Sequence, residues 1–137
     1  MTRGIFAVTV IAGALISTGS VTAQGYEPVS NYLQHCAGCH RMDGSGLPPE
    51  VPNLRKDLGY LIDSPEGRDF MVRVPGVVGV PISVEEVTEL INWIVESFNP
   101  ERSDFVRFTV EEVAAGRADP LYDPLRVRKE LFPELEL

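Results

Sequence analysis

Two thiols and an imidazole stand together in Cys36-Ala37-Gly38-Cys39-His40. The chain has two cysteines and two histidines, and residues 35–40 hold all four. A paired cysteine count in an exported chain ordinarily reads as a disulfide. Here the spacing and the histidine that follows at once point to another use. A redox dithiol also uses Cys-x-x-Cys, but it is expected among alternating strands and helices, and strand-like runs are missing from this sequence. A zinc site takes four ligands, and His35, Cys36, Cys39 and His40 would crowd them all into one short segment.

The remaining chemistry is covalent attachment of haem, whose pattern is Cys-x-x-Cys-His. Two thiols one turn apart reach the two vinyl groups of a porphyrin. The next residue then sets an imidazole beneath the iron. Ala37 and Gly38 are small enough to let the backbone approach the ring. Cys36 and Cys39 are thus the expected thioether anchors of one haem c, and His40 the expected proximal iron ligand.

Such a site needs elements to hold it. Val29, Tyr32 and Leu33 give residues 24–35 an apolar side at helical spacing, with Pro28 acceptable in a first turn. Residues 41–82 read mostly as loop, because Asp43-Gly44-Ser45-Gly46, Pro48-Pro49 and Pro52 interrupt any long element, with a short helix over 66–73. A bound cofactor would give so long a loop something to pack on. Residues 83–98 form the clearest helix: Ser83 and Glu86 make a capping box, Val84, Val87, Leu90, Ile91, Ile94, Val95 and Phe98 line one face, and Pro100 stops it. Beyond it, Thr109 and Glu112 open a short helix to about Arg117, and Leu125 to Phe132 suggest another.

With these residues in view the chain resembles the small monohaem cytochromes c of class I. Tyr32 matches the aromatic of the family's first helix. Asp43-Gly44-Ser45-Gly46 and Pro52-Asn53-Leu54 resemble the loop after the motif, and Ser83 to Trp93 resembles the last helix. The resemblance covers about residues 26–98. It implies an all-α fold, with cytochrome c-like helices wrapped around one covalent haem and a C-terminal helical and loop extension. It implies that the Pro52 carbonyl accepts a hydrogen bond from the His40 ring, and that Trp93 packs on the first helix. Two departures stand out. Pro28 replaces a common glycine, and Val80-Pro81 stands where the family usually has Met-Pro before the last helix.

Valine cannot ligate iron. Met42 lies two residues past His40, too close to cross the ring, whereas Met71 lies 31 residues beyond His40 among Phe70, Val72 and Val74. Met71 is therefore the expected distal axial ligand, with an open or water-bound iron, Lys56 or Tyr60 as alternatives. A thioether opposite histidine raises the reduction potential. Arg55, Arg68, Arg73 and the Trp93 ring are candidate partners for the haem propionates.

The N-terminus fixes where such chemistry would happen. Arg3, the apolar run Ile5–Ile16 and the small residues Val21-Thr22-Ala23 read as a signal peptide over 1–23. Export would leave a haem domain over 24–98 and an extension over 99–137, in the periplasm, with no later membrane span. Loss of Arg3 takes the net charge from −8 to −9. That charge repels nucleic acid and suits a basic partner surface. The expected function is electron transfer rather than enzymatic catalysis, with a redox protein such as a periplasmic dehydrogenase, an oxidase or another cytochrome as partner. The rival functions are a ligand-binding or catalytic haem protein with an open distal side, and a haem subunit of a larger complex docked through the extension.

Overall fold

The computed structural model describes Met1 and residues 28–135, so all of the expected signal peptide but Met1, together with residues 24–27, lies outside the described residues. Eight helices follow one another among the described residues: α1 (Pro28–His35), α2 (Ala37–His40), α3 (Leu58–Leu61), α4 (Pro65–Arg73), α5 (Pro75–Val78), α6 (Val84–Phe98), α7 (Val110–Ala118) and α8 (Pro124–Leu131). The only extended pairing there is an isolated bridge between Leu47 and Val51. The all-α reading of the sequence is thus the observed class.

Each long helix starts where its side chains can satisfy free N–H groups. The Ser83 and Thr109 hydroxyls accept from the amides of Glu86 and Glu112, whose carboxylates accept from the two cap amides in return. Ser64 caps α4 and Asp123 caps α8, each followed by proline in the first turn.

The apolar face of α6 supplies Val87, Leu90, Ile91 and Val95 to one core. α1 packs on α6 through Tyr32, whose ring lies 5.4 Å from Trp93 and 5.2 Å from Phe98 between centroids. α4 packs on α7 so closely that a side chain at Gly116 would strike Val72. Phe108, Val113, Phe132 and Leu135 of the extension join this same core, while Tyr122 is fully exposed. Buried Asn92 closes the join between α6 and the chain leading to α7. Its amide donates to the Phe108 carbonyl (3.0 Å) and its oxygen accepts from the Phe108 N–H (2.8 Å).

Residues 41–82 are more structured than their sequence suggests. α3 was hidden because four residues carry too little periodicity to register. Val74-Pro75-Gly76 does end α4, yet Pro75 then serves as the first residue of α5. Proline has no N–H to leave unpaired at that position.

Candidate haem-attachment site

α1 and α2 are nearly one helix, broken at Cys36. The Cys36 amide still donates to the Tyr32 carbonyl (2.9 Å), and the His40 amide donates to the Cys36 carbonyl (2.9 Å). Cys36 is therefore half-buried at the break and Cys39 is exposed one turn on. Both thiols are free. Burial, then the neighbouring Cys39, pushes the Cys36 thiol up to about 11, so it stays protonated near neutrality.

The chain turns away directly after the imidazole. Arg41 has φ 63°, a backbone region that costs a non-glycine residue about 1–3 kcal/mol. Tyr32 holds it there: its hydroxyl donates to the Arg41 carbonyl at 2.6 Å. The Gly46 amide donates to the His40 carbonyl at 3.1 Å, which folds the loop back under α2. Gly46 has φ 63° and sits against the backbone carbonyls of Val51 and Pro52, with no room for a side chain.

That return brings Pro52 to the ring. The His40 Nδ1 lies 3.2 Å from the Pro52 carbonyl oxygen. A carbonyl can only accept, so Nδ1 carries the proton and Nε2 keeps its lone pair. Burial holds the ring below its usual pKa, against the opposing pull of the Pro52 carbonyl. A neutral imidazole with Nε2 free is the form that ligates iron. The contact expected between His40 and Pro52 is present.

Two free thiols one turn apart and a neutral, oriented imidazole fit the attachment of haem. Among the described residues no group of three or more His, Cys, Asp or Glu gathers as a metal cage. No helix there is long and apolar enough to cross a membrane.

The other candidates divide. Met71 is buried on α4. Its neighbours account for two sides of that helix: Arg68 and Val72 face α7, and Phe70 meets Phe132 edge-on at 6.1 Å. By helical spacing Met71 lies on the side of Gly67, where an added side chain would strike the Leu61 backbone of α3. Met42 is largely exposed. Val80 is buried, and Arg117 donates to the carbonyls of Val80 and Ile82 at 3.0 Å each.

Two arginines offered above as propionate partners are engaged elsewhere. Arg68 forks onto Glu112 at 3.0 and 2.9 Å, donates to the Val106 carbonyl, and lies over the Phe108 ring. Arg73 pairs with Asp69 and Asp119. Arg55 is exposed.

Sequence reasoning missed the groups that hold the loop. Asn99 is buried and donates to the Leu54 carbonyl at 3.0 Å. Arg128 is buried and donates to the Pro49 carbonyl at 2.8 Å. Both lie in the extension, far along the chain from their partners, so no local pattern could announce them.

The chain is 25% identical over 128 aligned positions to a cytochrome c-552 of Thermus thermophilus, covering 79% of this chain and 86% of that protein. It is 26% identical over 106 positions to another cytochrome c-552 of Thermus thermophilus, covering 63% of this chain and 81% of that protein. No protein-family model matches, and no solved structure matches with significance. The similarity to these two proteins suggests the c-type cytochrome family for this chain.

Proposed function

We propose that the protein is a monohaem c-type cytochrome that carries electrons outside the cytoplasm. Cys36 and Cys39 form the two thioethers, His40 is the proximal ligand and Met71 the distal ligand. The observation that carries this reading is the His40–Pro52 contact beside two free thiols. It leaves Nε2 as a lone-pair donor where the attachment pattern requires one.

Haem supplies a one-electron iron couple when bound; the residues tune and orient it. Pro52 fixes the ring tautomer and strengthens its donation to a metal. Exposed Cys39 marks the edge where a redox partner would approach. A periplasmic dehydrogenase, an oxidase or another cytochrome fits that role. Residues 1–23 would direct export, and the acidic surface would meet a basic patch on the partner. The rival, a haem protein open to small ligands, draws on Val80, whose side chain offers iron no donor.

The test is co-expression with a haem-attachment system, then a denaturing gel stained for haem. The unaltered chain should stain, and Cys36→Ala/Cys39→Ala should not. Haem that stays on the double variant defeats the proposal.

A further inference from the structure

Arg128 is 3% exposed, and its Nε is buried without a hydrogen-bond partner among the described residues. Burying a guanidinium is costly unless its donors are met, and a lone buried donor adds to that cost. One bond to the Pro49 carbonyl is a small return for that cost. The place of that bond is informative. Pro49 starts the segment that ends at Asp57, and Pro52 lies within it. At the far end, the Asp57 carboxylate accepts from the Asn53 amide at 3.1 Å. Burial pushes the Asp57 carboxyl up, while the Asn53 N–H, the Arg128 charge and Lys56 pull it down. Arg128 bonds the Pro49 flank of Pro52 directly, and its positive charge favours the ionised Asp57 carboxylate on the other flank.

We infer that Arg128 of α8 is a positioning residue for His40: it clamps residues 49–57 so that the Pro52 carbonyl stays on Nδ1. This inference rests on the proposed haem function for its importance, but the clamp belongs to the polypeptide itself. It gives the extension a role at the metal site although α8 contributes no ligand. The chain of contacts runs from Arg128 to Pro49, along the loop to Pro52, and from Pro52 to His40.

The test is hydrogen exchange on the haem-loaded protein, read by NMR at the His40 Nδ1 proton and at backbone amides. In Arg128→Met, and in the shorter, uncharged Arg128→Gln, the Nδ1 proton and the Asn53 amide should exchange at least about tenfold faster, with amides of α6 unchanged. A purely structural role would speed α6 by the same factor, and that result overturns the inference. So does an unchanged Nδ1 proton. If neither variant folds, the unaltered protein decides: a through-hydrogen-bond coupling between an Arg128 guanidinium nitrogen and the Pro49 carbonyl carbon supports the clamp, and Arg128 guanidinium protons that exchange as fast as those of exposed Arg126 overturn it. Haem staining of the same samples reports the functional reading separately. A chain without covalent haem defeats that reading, whereas the exchange of Asn53 still reports the clamp.

Discussion

The segment from Cys36 to Asp57 and the helical scaffold of α4, α6 and α7 are held by different means. The scaffold uses local rules. Its helices are 9 to 15 residues long, two of the three open with complete capping boxes, and α6 has one continuous apolar face. The motif segment has a four-residue helix and residues of positive φ at Arg41, Gly44 and Gly46. Its shape depends on distant groups: Tyr32 on Arg41, Asn99 on Leu54 and Arg128 on Pro49. A segment that must leave two thiols and one imidazole nitrogen free cannot spend them on its own fold. α1, the residue that follows α6, and α8 supply the restraint instead, through Tyr32, Asn99 and Arg128.

Met71 gives the largest expected effect, because it is the scaffold residue proposed to act at the site. Met71→Ala should remove the marks of sulfur ligation from the oxidised spectrum, lower the reduction potential and let the reduced protein take up carbon monoxide. If Met71 only packs, the variant loses about 2–5 kcal/mol of stability with its haem spectrum unchanged. That second outcome would restore a clean division between scaffold and site.

Gly46→Ala strikes the motif segment directly. Left-handed backbone alone costs an L-residue roughly 1–2 kcal/mol, and the added carbon would meet the Val51 and Pro52 carbonyls. Denaturant unfolding should show a loss above about 2 kcal/mol, since strain and clash add. The His40 ring-proton resonance should move with it. A stable variant with an unmoved resonance would mean that the loop adapts without help from its contacts.

Thr109→Ala is the mildest test, because it removes a local device from the scaffold. Loss of this cap should cost about 1 kcal/mol in chemical unfolding and leave the haem spectrum as it was. A spectral change would mean that α7 reaches the site more directly than its position implies.

Much of the scaffold was legible in the sequence because its causes are local. Ser83 with Glu86, and Thr109 with Glu112, announced two helix starts that the structure places at those residues. α3 and α5 were not legible, since single turns are stabilised by what they pack on and not by periodicity. Arg68 and Arg73 looked free to meet a carboxylate of the cofactor. Arg73 pairs with Asp69 one turn back on α4 itself, but its pairing with Asp119, and that of Arg68 with Glu112, depend on α4 lying against α7 and its C-terminal end.

By itself the sequence determined that two thiols and an imidazole come together within a single turn of chain, the spacing on which the proposed haem attachment rests. It also determined the helical class, through caps and apolar spacing that act within a few residues. Only the tertiary structure decided how His40 is aimed, which cations are already engaged, and that the extension shares the core and reaches the loop through Arg128. Those outcomes depend on groups that are distant in sequence, and a hydrogen bond between Arg128 and Pro49 exists only once the chain between them has folded.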